Sequence, residues 1–131
     1  MAIGNWGPDV VFSVSDRKVL TFNDMNRNVG SSWATHSRIG LKDQVEYLKP
    51  NLQKLTFTII LDASLGVRPR SVLETLERHT EQGHVFPFVV GGKRVGKHLW
   101  RITDQSEAWE TIYNQGELYR AKVDVTMEEY V

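Results

Sequence analysis

Hydrophobic and polar residues alternate with period two along much of this chain, the pattern that places apolar side chains on one face of a strand. Val10, Phe12 and Val14 share a face before the polar run Ser15-Asp16-Arg17-Lys18. Val19 to Phe22 then returns, which predicts a β-hairpin with a polar turn. Leu55, Phe57, Ile59 and Leu61 alternate with Lys54, Thr56, Thr58, Ile60 and Asp62, giving the most hydrophobic strand and a central one. Near the end, Tyr119, Ala121, Val123, Val125 and Met127 face one way. Arg120, Lys122, Asp124, Thr126 and Glu128 face the other. That strand has a core side and a polar side, the latter meeting solvent, a neighbour or the lumen of a ring.

One segment, residues 69–82, carries helical spacing instead. Val72, Leu73 and Leu76 form a short apolar stripe opposed by Glu74, Glu77, Arg78 and Glu81. Pro69 suits the first helical position, where its missing N–H has no intrahelical acceptor to lose. Gly83 supplies a left-handed C-terminal stop. Val85 to Val90 reads as a strand interrupted by Pro87, which belongs at an edge or bulge because proline cannot donate to a ladder. Gly91-Gly92 reads as a turn into Lys93 to Val95. Leu99 to Thr103 and Ala108 to Tyr113 read as two strands, with Asn114-Gln115-Gly116 turning into the last one. Ser31 to Ile39 and Asp43 to Leu48 predict a long hairpin around Gly40, and Asp24 to Asn28 leaves room for a short helix. The architecture expected is mainly β within the α+β class: an antiparallel sandwich or barrel with one packed α-helix near 69–82, in a single domain spanning 1–131.

Composition narrows the chemistry. At 131 residues with 40% hydrophobic content the chain can bury one ordinary core. Sixteen basic residues balance sixteen acidic ones, so no net field gathers nucleic acid or anionic lipid, and no specific nucleic-acid partner is expected. The absence of cysteine removes disulfides, thiolate nucleophiles and Cys-based metal sites. No apolar stretch reaches the roughly 18–20 residues that cross a bilayer as a helix. The first residues lack the basic start and apolar run of a signal peptide, which leads us to expect synthesis in the cytosol.

Motif chemistry is sparse. Gly91-Gly92-Lys93-Arg94-Val95-Gly96-Lys97-His98 matches the G-x-x-x-x-G-K phosphate-loop spacing, but His98 stands where a magnesium-holding hydroxyl is required. The strand-like continuation also denies it the helix N-terminus that would face an anion. A basic glycine-rich hairpin is the better reading; a nucleotide-binding enzyme built on Gly91–His98 is the rival from another class. His36, His79, His84 and His98 form no i, i+4 pair and no H-E-x-x-H pattern, so they read as isolated imidazoles. No G-x-S-x-G elbow or marked carboxylate pair appears. No catalytic constellation, metal site or cofactor is expected. Arg68 and Arg70 sit at the helix N-terminus, where cations are unfavourable unless an acid pairs with them. An acidic residue of this or a neighbouring subunit answers that better than a small anion. Trp100 shares a face with Ile102 and belongs in the core. Trp6 and Trp33, in Gly- and Ser-rich surroundings, are better placed to anchor contacts between chains.

A resemblance adds what periodicity cannot. Met1-Ala2-Ile3-Gly4-Asn5-Trp6-Gly7, Lys18-Val19-Leu20-Thr21-Phe22, Trp33-Ala34-Thr35-His36, Glu46-Tyr47-Leu48-Lys49-Pro50, Leu65-Gly66-Val67-Arg68-Pro69-Arg70, Pro87-Phe88-Val89-Val90-Gly91-Gly92-Lys93 and the ending Val123 to Val131 follow one another as in GpU-type phage tail proteins. The chain resembles that family along essentially its whole length. The resemblance implies a structural component of a contractile tail, in a phage or a phage-derived particle, with the fold of tail-tube proteins. It further implies a sixfold ring at the tube–baseplate junction, beside the tail tube, the central hub and a LysM-type tail protein. Assembly would take place in the host cytoplasm, before the protein takes its place in the particle. A ring closing the tube at the head-proximal end is the alternative placement. Trp6, Trp33, Arg68, Arg70, Lys93, Arg94, Lys97 and Tyr130 are the candidate contact residues.

Overall fold

The computed structural model describes residues 2–8, 10–14, 19–20, 22–112, 116 and 118–131. Strand β1 (Ala2–Trp6) lies between β2 (Val10–Val14) and β9 (Phe88–Val90). Short strands β3 (Val19–Leu20) and β10 (Lys93–Arg94) complete a first sheet in the order β10-β9-β1-β2-β3. A second sheet runs β4 (Phe22–Asn28), β7 (Lys54–Asp62), β12 (Leu118–Tyr130), β11 (Leu99–Ile112) and β8 (Val85–Phe86). A separate ribbon pairs β5 (Ser31–His36) with β6 (Gln44–Pro50). Every pairing is antiparallel. The fold is mainly β, as the alternation predicts.

The alternating runs become the middle of the second sheet. β7 pairs with β12 over nine residues, from Arg120 opposite Asp62 to Glu128 opposite Lys54. Their inward stripes, Leu55, Phe57, Ile59 and Leu61 with Ala121, Val123, Val125 and Met127, are all buried. The first sheet closes over this face through aromatic rings. Phe12 and Phe88 lie 6.1 and 5.6 Å from Phe57, and Phe22 lies 4.9 Å from Phe12. Offset and edge-on rings at such spacings fill the space between sheets without face-to-face repulsion.

The outward stripes of the same strands hold polar cross-strand partners. Thr58 Oγ1 donates to Asp124 Oδ1 at 2.7 Å, and Glu128 of β12 meets Arg101 of the adjoining strand at 3.4 Å. Helix α1 (Pro69–Gln82) packs against β11 and β12, burying Pro69, Leu73, Leu76 and His79. It ends at Gly83 in the left-handed region, with φ 66°.

Several elements differ from their sequence reading. Residues 99–112 form one strand: the polar Asp104-Gln105-Ser106-Glu107 looks like a break, yet β12 supplies a partner for each of those four, with register shifts at Ile102/Asp104, Trp109/Thr111 and Thr111/Ile112. Both faces of that outer stretch are largely exposed, so polar residues cost little there. Residues 24–28 are strand, not helix; Asp24 takes φ 54° where β4 slips register against β7. Pro87 separates β8 from β9, which belong to different sheets, so it stands where the chain crosses between them. The polar turn expected at 15–18, together with Thr21, Tyr113, Asn114 and Gln115, lies outside the described residues.

Two substitutions probe this architecture. Phe57→Ala should cost about 3–5 kcal/mol in denaturant unfolding because it empties the seam between sheets. Gly83→Ala should cost only about 1–2 kcal/mol, from backbone strain alone, since a Cβ there meets nothing within 4 Å.

Candidate assembly surface

The expected contact residues separate into one buried tryptophan and several exposed side chains. Trp6 is 0% exposed and so cannot anchor another chain. Its Nε1 donates to the Trp100 carbonyl at 3.0 Å, and its ring meets His79 and Phe86 edge-on at 5.3 and 5.1 Å. The glycine-rich setting that suggested a surface arm has a packing cause. Gly4 lets β1 run against β9, where an added Cβ would collide with the Val89 carbonyl. His79 and His84, read as isolated, are also brought together, with Nδ1 atoms 2.7 Å apart across the helix end. Gly83 reverses the chain there, and the His84 N–H reaches the His79 carbonyl. Among the described residues no group of three His, Asp or Glu side chains is arranged to hold a metal.

Trp33 is 56% exposed, on a ribbon with two unlike faces. Trp33 stands opposite Tyr47, their rings 5.2 Å apart, and Thr35 stands opposite Val45. On the other face His36 meets Glu46 at 3.1 Å. Exposure of 60% at Val45, 49% at Tyr47, and at the tip 103% at Ile39 and 65% at Leu41 shows that the described residues leave the apolar ribbon face uncovered. Arg38 Nε donates to the Lys42 carbonyl at 2.9 Å and braces the tip.

The basic glycine-rich loop lies near the root of this ribbon. Lys93 and Arg94 are exposed on edge strand β10. Val95 N–H donates to the Phe88 carbonyl, and Trp100 Nε1 donates to the Val95 carbonyl. The loop is thus pinned to the first sheet and runs directly into β11, with no helix N-terminus to meet a phosphate. Lys97 and His98 instead border a groove of about 590 Å³ with Arg27, Val29, Pro50 and Val131. Tyr130, 52% exposed, pairs with Leu99 at the same end of the sheet. The buried carboxylate of Glu129 is satisfied there by the Gln53 N–H at 2.6 Å.

Arg68 and Arg70 sit at the opposite end. Arg70 is 3.4 Å from Glu74 and lies over the Trp109 ring at 5.8 Å, so its charge is answered within the chain. Arg68 is exposed and has no ion pair among the described residues. Both border an open groove of about 570 Å³ with Val67, Gly116 and Leu118. Nearby, Asp62 caps a 3₁₀ turn at Ala63–Leu65. Its carboxylate accepts from Ser64 Oγ at 2.7 Å and Ser64 N–H at 2.9 Å, with Arg120 3.7 Å away. The Ser64 hydroxyl, then its N–H and finally Arg120 hold the acid below its ordinary value.

Sequence reasoning read residues 108–112 as strand but missed that they continue β11 through 104–107 and leave one edge unpaired. Beyond Trp100 and Arg101, which pair with β8, residues 103–112 have β12 on one side and no strand on the other among the described residues. This free edge carries Trp109, 44% exposed, and Ile112, 54% exposed. Glu107 accepts from Trp109 Nε1 and from Gln105 Nε2, and Glu110 meets Arg120 at 2.9 Å.

A model of the phage P2 GpU family matches residues 9–131. The chain belongs to that family. It is therefore a structural protein of a phage tail. Among solved structures, a chain from the tail of an empty GTA particle with C6 symmetry is similar at a TM-score of 0.45 and 14% identity, covering 99% of this chain and 91% of that one. That likeness is too loose to carry an argument. No curated protein matches.

The lowered Asp62 value has a definite sign. An acid whose folded pKa lies below its unfolded value contributes stability above the unfolded value, and loses it as pH falls through the folded one. Asp62→Asn should therefore flatten the acid limb of a stability–pH curve below the ordinary aspartate range, leaving the neutral limb parallel to wild type. Lys97→Ala should leave nucleotide binding as it is in wild type, with no binding by either at millimolar concentration in calorimetry.

Proposed function

We propose that this GpU-family protein builds a homo-oligomeric ring, six copies around the tail axis, at the junction between tail tube and baseplate. Its role is structural, and tail assembly requires it. The observation that carries the reading is the outer stretch of β11, ten residues of strand with one edge unpaired among the described residues. A long free edge is an aggregation hazard unless something covers it, and head-to-tail assembly of identical subunits does so. Exposed Trp33, Tyr130, Arg68, Lys93, Arg94 and Lys97 are the side chains offered to neighbours, with Arg70 contributing through the Trp109 platform. Trp6 takes no part. The neighbours along the axis would be the tail tube, the hub and a LysM-type tail protein. The protein would assemble in the host cytoplasm before residing in the particle.

Reconstruction of tails from particles carrying this chain tests the proposal. We expect one ring of six copies between the tube and baseplate, and deletion should leave no complete tails. Complete tubes joined to complete baseplates in particles without the chain would overturn it.

A further inference from the structure

The β5–β6 ribbon joins the rest of the chain through two short stretches outside the sheets, residues 29–30 and 51–53. Its strands pack chiefly against each other. An element with few contacts to the core takes its direction from whatever holds its root. Within the root, the Asn51 N–H donates to the Gly30 carbonyl at 3.0 Å, and Ser32 Oγ donates to Asn51 Oδ1 at 2.6 Å. These bonds keep the two stretches side by side but do not reach the sheets.

Gln53 does reach them. Lys54 stands opposite Glu128 in the β7–β12 ladder, so the next rung brings Gln53 opposite Glu129. There the Glu129 N–H donates to the Gln53 carbonyl at 3.0 Å, as in a ladder. The Gln53 N–H goes to a side chain instead, the Glu129 carboxylate, with Oε1 at 2.6 Å. Glu129 follows Met127 on the inward stripe and is 6% exposed, so a charge stands where an apolar residue would be expected. A buried carboxylate is tolerated only with donors, which makes this bond costly to lose. The Gln53 side chain is held as well: Arg27 donates to its Oε1 from Nε at 3.1 Å and from Nη2 at 2.8 Å. The glycine-rich loop passes against the same atom. A Cβ on Gly96 would lie 3.4 Å from Gln53 Oε1 and 3.4 Å from the Trp100 ring.

We propose that Gln53 is a latch that locks the direction of the ribbon to the glycine-rich loop. Glu129 holds its backbone, Arg27 holds its side chain, and the loop backbone closes on it at Gly96. With the latch released, the ribbon would turn about residues 29–30 and 51–52, since hinges are a few loop residues that absorb the backbone change. The groove of about 590 Å³ bordered by Val29, Leu52, Lys97 and Val131 leaves room for that movement. With the latch closed, Trp33 and Tyr47 keep a fixed spacing from Lys93 and Arg94, and ribbon and loop form one surface. The inference does not depend on the ring reading above.

The chain has no cysteine, so spin labels can be placed in chosen pairs. Lys42→Cys at the ribbon tip with Lys93→Cys on the loop side reports the latch. Glu77→Cys on the helix with Lys122→Cys on β12 reports the body. Pulsed dipolar EPR, with labelled chain diluted in unlabelled chain, should give narrow distance distributions for both pairs. Glu129→Ala and, separately, Arg27→Ala should each widen the tip–loop distribution about twofold or more and leave the body pair unchanged. Glu129→Gln keeps an oxygen to accept the Gln53 N–H and should keep the wild-type width. Arg27 is exposed, so its variant decides the matter even if Glu129→Ala does not fold.

A wild-type tip–loop pair already as wide as in the variants would show that nothing is latched. Unchanged widths in the variants would equally overturn the proposal. So would widening of the body pair by the same factor, because Glu129 and Arg27 would then support the core at large rather than the ribbon.

Discussion

The fold depends on closing a small sheet over the inward face of a larger one. That face is the apolar stripe of β7 and β12, and the rings of Phe12, Phe22, Phe57 and Phe88 fill the seam above it. Non-directional burial would allow the sheets to slide. Two indole hydrogen bonds remove that freedom: Trp6 donates to the Trp100 carbonyl, joining β1 to β11, and Trp100 donates to Val95, tying down the basic loop. A buried indole N–H left without an acceptor carries a desolvation cost, so each bond selects one alignment of the sheets.

This closure divides the surface into unlike parts. The helix and the first sheet both lie over the inward face, leaving the outward face of β7, β12 and β11 to cross-strand polar pairs such as Thr58 with Asp124 and Arg101 with Glu128. Beyond the region covered by β8, strand β11 outruns its outer neighbour. Beyond Asn28, the chain leaves the second sheet to form the ribbon and returns as β7. Among the described residues, the side chains of both extensions are mostly exposed. In the ring proposed above such surfaces would have a use, because apolar groups covered only on assembly stabilise the assembly rather than the subunit.

The helix-end arginines illustrate how one feature answers to both levels. Two cations at a helix N-terminus oppose the backbone dipole. The fold offsets one of them, placing Arg70 between Glu74 and the Trp109 ring. Arg68 remains exposed toward the groove beside Gly116 and Leu118. Trp109 consequently serves as a fixed platform, held by Glu107 on one side and Arg70 on the other, rather than as a loose surface ring.

The sequence by itself determined the elements whose side chains repeat with a period. The inward stripes of β7 and β12, the helix from Pro69 with its stop at Gly83, the ribbon around Gly40 and the strand that follows the glycine-rich loop were all legible, because alternation, proline and glycine act within a few residues. Family resemblance added the tail. Tertiary structure decided what has no local signal. Trp6 is buried because β9 passes close over a glycine, and His79 meets His84 because Gly83 reverses the chain. Polar residues 104–107 stay in a strand because β12 lies beside them. Whether a tryptophan faces a core or a neighbour depends on which distant segment covers it, and covering is a property of the packed chain rather than of the residues on either side.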